Sequence, residues 1–239
     1  MSKVQVIKYD PQWKERFSLE SIKLEKAFAG NFVAIHHIGS TAVEGLSAKP
    51  IIDIVVVVNN IFKVNNQTID GYESRGELGI PFRRYFSSSD FHLHVFEENN
   101  PEIQQHILFR DYLRNNSEVR NNYETTKLAL AKKYPDDRMQ YCLGKNSLIN
   151  KIIKMSGFNG LCLLRYVFHD LEKDYYTSKL GHKGFYKFIL YEGSEIISAA
   201  SVSQDLVIDE ISGENHLDSM KRLLERWISK ENNLVRTQI

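Results

Sequence analysis

The chain has 239 residues, 42% hydrophobic, 26% charged and 11% aromatic, proportions that exclude a disordered, collagen-like or disulfide-framework protein and allow one large domain or a medium one with an appendage. Lys and Arg number 31 against 30 Asp and Glu, so no global charge advertises a nucleic acid or an anionic membrane, and neither partner is expected. Only two cysteines occur, Cys142 and Cys162, and the longest apolar run, Ile51 to Val58, is interrupted by Asp53 and too short to cross a bilayer; a reduced, cytoplasmic setting is the expectation.

Val4 to Tyr9 alternates apolar and polar residues and reads as a strand running into a helix, with Asp10 as cap and Pro11 at the first helical position. Trp13, Phe17, Leu24 and Phe28 share one face of that helix, and Gly30 stops it. Phe32 to Ile38 and Ile51 to Val58 are expected as strands, the second so rich in β-branched residues that both its faces must be covered. Phe82 to Phe86 and Phe91 to Phe96 add two more, joined by the Ser87 to Asp90 turn, for a mixed sheet of about five strands. Helices follow over Pro101 to Arg114, Ser117 to Tyr134 and from about Ser147, so an α/β (α+β) domain with a helical half is expected. Ser156-Gly157 marks a boundary, dividing the chain into residues 1–157 and 158–239. The second part reads as a small α+β module: a hairpin turning at Gly193, a strand over Leu206 to Ile211, and an amphipathic helix carrying Leu217, Met220, Leu224, Trp227 and Ile228.

The stretch most informative for chemistry is His37-Ile38-Gly39-Ser40-Thr41, followed by Ala48-Lys49-Pro50-Ile51-Ile52-Asp53-Ile54. A Gly-Ser turn that leaves a strand and opens a helix offers backbone N–H groups and a hydroxyl to an anion, as phosphate cradles do. Asp53 lies in an apolar strand, where a carboxylate is costly without a cleft, a cation or a donor. The plainer alternative is an ordinary turn with Asp53 paired to Lys49. Downstream, His106, Arg110 and Arg114 recur four apart and form a cationic stripe. Lys127 flanks the apolar face of the next helix. Residues 101–154 hold ten Lys/Arg against six Asp/Glu, and 190–239 hold five against nine, so an anion favours the first block.

These two motifs, with Arg84-Tyr85-Phe86, His92-Leu93-His94-Val95, His106, Phe109 to Arg114, Tyr123, Lys127, Tyr141 and Lys145, resemble the GrpB family over residues 4–155. That family is regarded as nucleotidyltransferase-like in fold. The resemblance implies a nucleotide or other phosphorylated small molecule held by Gly39, Ser40, Thr41, Lys49, Arg84, Arg110, Arg114, Tyr123, Lys127 and Lys145. It further implies a divalent metal (Mg²⁺, Mn²⁺ or Zn²⁺) at Asp53; His92 and His94, two apart on a strand, point to one face of the sheet near Asp53 and are read with it as metal ligands and as catalytic residues in nucleotidyl or phosphoryl transfer. The nucleotidyltransferase pattern is incomplete, because Val55 stands where the second carboxylate belongs and His92 and His94 where a later acid is expected. Such a mixed donor set suits Zn²⁺, Mn²⁺ or Fe²⁺ better than Mg²⁺. Two other readings remain open: a non-catalytic nucleotide or coenzyme A sensor, and a scaffold that forms homo-oligomers through residues 158–239. The second part resembles half of an N-acetyltransferase fold only faintly, since Ile211 to His216 is acidic and holds a single glycine where a Gly-rich pyrophosphate turn is needed.

Overall fold

A computed structural model describes residues 3–65, 67–165 and 170–236. The chain forms two compact units, Met1–Leu78 with Arg83–Phe158 and Gly79–Phe82 with Asn159–Ile239. In the first unit, helix α1 (Gln12–Ala27) precedes strands β1 (Phe32–Ile38), β2 (Ile52–Val58), β3 (Glu73–Ser74), β4 (Arg84–Ser87) and β5 (Phe91–Glu97). Helices α2 (Pro101–Asn115), α3 (Ser117–Lys133), α4 (Arg138–Leu143) and α5 (Asn146–Met155) complete it. The sheet order is β1-β2-β5-β4-β3, with β2 and β5 parallel and the other pairs antiparallel. This mixed α+β architecture is the one the sequence pattern calls for.

Local chemistry explains the main elements. The Asp10 carboxylate accepts from the Gln12 amide at 2.9 Å and starts α1. Trp13, Leu24 and Phe28 then pack on Ile52, Ile54, Val56, Leu93 and Val95 from one face of the sheet. Val55 and Val57 on the opposite face are buried too, so β2 is covered on both sides as its composition requires. Asn100 caps α2 by accepting from the Glu102 amide at 3.0 Å, with Pro101 in the first turn.

Two strand expectations need correction. Val4 to Tyr9 is not a strand: it makes one antiparallel bridge, in which Ile7 and Ala48 exchange two backbone hydrogen bonds of 2.9 Å. Its alternation reflects Ile7 and Tyr9 packing against the core, and side-chain burial can produce that pattern without a ladder. The fifth strand is instead β3, two exposed residues with no apolar pattern to announce them. Phe82, expected to open a strand, has φ of 67° and belongs to the second unit, so β4 starts at Arg84.

The second unit carries an antiparallel sheet in the order β6-β7-β8-β9, from Leu161–Leu164, Tyr186–Glu192, Glu195–Val202 and Ile208–Gly213. Helix α6 (Asp170–Leu180) sets Tyr176 and Leu180 against Ile189 and Ala199. Helix α7 (Leu217–Arg236) sets Met220, Leu224 and Trp227 against Phe188, Leu190, Ala200 and Val202. Alternate residues of β7 and β8 thus feed two cores. Among the described residues no helix is long and apolar enough to cross a membrane.

Candidate functional site

β1 ends at Ile38 and the chain reverses at Gly39, whose φ of 70° lies in the left-handed region. A side chain there would also collide with Asp53, since an added Cβ would stand 2.6 Å from Oδ2. Glycine thus lets the Asp53 carboxylate lie directly against the turn. Beyond it the chain forms a three-residue 3₁₀ turn, Ser40–Ala42, and not the helix expected from the sequence, because it turns again within a few residues to begin β2.

The parallel register sets Asp53 beside His92. Asp53 Oδ1 lies 3.1 Å from His92 Nδ1. A carboxylate there favours the tautomer protonated on Nδ1, which leaves Nε2 as the basic nitrogen. The side chains are 32% and 16% exposed respectively, so the pair remains accessible. It forms one wall of a cavity of about 230 Å³ that is also lined by Ser40, Thr41, Ala48, Lys49, Ile51, Lys127, Arg138, Tyr141, Cys142 and Lys145.

The three lysines of that cavity are held in place by aromatic rings and a carbonyl. Lys49 and Lys145 each place Nζ 4.4 Å from the centroid of the Tyr141 ring, a geometry that favours a cation over the π face. Lys127 is only 2% exposed and donates to the Ser47 carbonyl, with the Tyr123 ring 4.9 Å away. Glu124 accepts from the Ser47 amide at 2.8 Å, so both peptide groups of that residue are clamped from α3. Burial and the nearby Lys145 push the Lys127 ammonium down to about 7. Burial likewise lowers Lys49 and Lys145. Desolvated ammonium groups close together disfavour their own charge, and an anion among them relieves that cost.

The structure thus gathers Ser40, Thr41, Lys49, Asp53, His92, Lys127 and Lys145 around one cavity. Gly39 supports it from behind Asp53, and buried Tyr123 lies close to Ser40. Other residues named from the sequence lie elsewhere. His94 faces Arg83, with Nδ1 3.3 Å from the guanidinium, and its ring meets those of His106 and Tyr85 edge-on at 5.2 and 5.1 Å. Burial drives its basicity far down. Arg84 is buried and donates to Asn65 at 2.6 Å and to the Arg83 carbonyl at 2.8 Å. Arg110 and Arg114 line a separate recess of about 830 Å³ with Tyr9, Lys14, Phe17 and His37.

Arg138, Tyr141 and Cys142 were not assigned from the sequence. Their signal was present, since 138, 141, 142 and 145 follow a helical period, but Pro135-Asp136-Asp137 just upstream obscured the six-residue α4. Among the described residues no three His, Cys, Asp or Glu side chains stand together so as to hold a metal ion.

The fold and cavity define an α+β protein with a small cationic pocket where a sheet strand meets a glycine turn. The GrpB protein model matches residues 3–155, and the chain belongs to the GrpB family. It is 40% identical over 155 residues to UPF0157 protein YqkA of Bacillus subtilis, covering 62% of this chain and 45% of that protein; the chain thus spans under half of that relative's length. It is 34% identical over 161 residues to the glutamate-rich protein GrpB of Alkalihalophilus pseudofirmus, covering 62% of this chain and 92% of that one. The crystal structure of the conserved protein GrpB from Enterococcus faecalis superposes with a TM-score of 0.61 at 38% identity, covering 64% of this chain and 96% of that one.

Proposed function

We propose that the Asp53 cavity binds the phosphate end of a nucleotide or other phosphorylated metabolite. The observation that carries this reading is the convergence of Lys49, Lys127, Arg138 and Lys145 on a pocket that Ser40 and Thr41, just past the Gly39 turn, also line. Phosphate recognition needs N–H and O–H donors together with positive charge in a partly dry site. His92, oriented by Asp53, supplies a base for transfer. Its Nε2 would take the proton of an attacking hydroxyl as the new O–P bond forms and the bond to the leaving group breaks. The lysines would meet the charge that develops on the departing oxygen.

A second reading, a non-catalytic sensor of a nucleotide or coenzyme A, draws support from Val55, which is buried and apolar where a second carboxylate would serve catalysis. A thermal-shift panel of nucleotides, coenzyme A and sugar phosphates, run with and without Mg²⁺, Mn²⁺ and Zn²⁺, tests both. A ligand at 100 times its Kd adds about 2.7 kcal/mol of stability. Turnover of a stabilising ligand that is lost in His92→Gln supports transfer, and binding without turnover at any metal concentration supports the sensor. A panel in which no phosphorylated compound stabilises the chain removes the phosphate reading.

A further inference from the structure

A nucleotidyl-transfer centre that works through two metal ions needs several oxygen ligands close together. The cavity offers the opposite balance. Asp53 has one imidazole partner, His92, at 3.1 Å. Val55, two residues on, is fully buried, and His94 is engaged with Arg83. Lys49, Lys145, Arg138 and Lys127 surround that single carboxylate. A dication entering here is repelled by neighbours that would attract a phosphate oxygen, so the donors do not fit a resident divalent metal. Size points the same way: about 230 Å³ is below the roughly 300 Å³ at which drug-sized ligand sites begin. That space suits a terminal phosphate or a diphosphate, with the rest of the ligand outside.

Resting on the phosphate reading above, we propose that Lys49, Arg138 and Lys145 take the place of metal ions in this pocket. Its ligand is therefore the metal-free phosphomonoester or diphosphate end of a metabolite, and not a magnesium–nucleoside triphosphate. Arg138 brings a planar fork for two phosphate oxygens. Lys49 and Lys145, held against the Tyr141 ring, bring fixed point charges. The lysine pair is in place before a ligand arrives, as a preorganised site requires.

The test is calorimetric titration of the full chain with inorganic pyrophosphate, once in EDTA and once in excess Mg²⁺. The expected result is saturable binding in EDTA that Mg²⁺ leaves unchanged or weakens. Lys145→Met is expected to lower affinity at least tenfold without lowering Tm, because it removes a half-buried charge that has no carboxylate partner among the described residues. Arg138→Gln, at an exposed position, serves as a second variant that does not threaten the fold, with an expected loss of at least threefold. Binding that appears or strengthens only with Mg²⁺ overturns this inference and leaves the phosphate reading standing, as does full affinity in both variants. Absence of pyrophosphate binding in both conditions, together with an empty thermal-shift panel, removes the phosphate reading itself.

Discussion

Two recesses of the first unit are lined by cations that they use differently. In the larger one, Arg110 grips Asp111 with a fork of 2.7 and 2.9 Å and donates its third nitrogen to the His37 carbonyl at 2.9 Å. Arg114 gives two donors to the Ala42 carbonyl, at 3.0 and 2.8 Å, and a third to Asp111. These guanidiniums tie α2 to the backbone on both sides of the Gly39 turn. In the smaller recess Lys127 is likewise tied to a carbonyl, that of Ser47, but Lys49 and Lys145 rest on a ring, and the carboxylate in the wall, Asp53, already faces His92. Positive charge that already satisfies carbonyls contributes to stability, whereas positive charge left over a ring is available to a ligand. A count of basic residues does not distinguish the two.

Acid gives the largest expected effect on this contrast. His37 stacks on Phe17 and bonds to Thr41 at 3.0 Å, and burial, with Arg110 and Arg114 adding to it against Asp53, holds it down to about 4. His106 is also held at about 4 by burial and Arg83, with Asp53 opposing. The unfolded chain protonates these rings near 6.5, and the native state resists until about 4. Their contribution is therefore complete above 6.5 and is lost as pH falls from there towards 4. Urea unfolding at pH 5 should show about 2 kcal/mol less stability for each, or about 4 kcal/mol for both, than at pH 7.5. His37→Phe and His106→Phe should each flatten that slope.

Gly39→Ala comes next: the added Cβ meets the Asp53 carboxylate and the left-handed φ becomes strained. A loss of about 3 kcal/mol in denaturant unfolding is expected, together with weaker pyrophosphate binding as Asp53 shifts. Arg114→Ala should cost about 2 kcal/mol, because it leaves the Ala42 carbonyl short of its donors, while pyrophosphate affinity stays within about twofold. A large loss of affinity in that variant would erase the distinction between the recesses. The smallest effect is on sulfate, which does not titrate between pH 6 and 8. Its affinity should fall a few-fold over that range as Lys127 loses its proton near 7, and Lys127→Met should abolish the dependence.

Much of this was legible in the sequence because it rests on local rules. The β-branched run of β2, the Asn100-Pro101 cap and the Gly39-Ser40 turn each carry their signal within a few residues. The pairing of Asp53 with His92 was anticipated as proximity on one sheet face, since both belong to strands whose side chains alternate. Only the Asp111 partner of the arginines stands near them in the sequence; their other partners are carbonyls at positions 37 and 42, more than seventy residues away, and a carbonyl leaves no trace in residue identity. His94 shares a face with His92, yet α2 covers it with His106, so burial separates two positions that periodicity treats alike. Helix α4 was missed because its helical spacing over 138, 141, 142 and 145 follows directly on Pro135-Asp136-Asp137, which reads as a turn.

The in-step alignment of β2 and β5 runs over seven consecutive pairs, from Ile52 with Phe91 to Val58 with Glu97. That ladder acts as a ruler: backbone bonds, and not the side chains themselves, fix which acid meets which imidazole. Inserting one residue into β5 ahead of His92 would bring a different neighbour opposite Asp53 and turn the imidazole to the far side of the sheet. Cavity walls carried on loops and helices can therefore diverge in size and charge while the acid and its imidazole stay side by side.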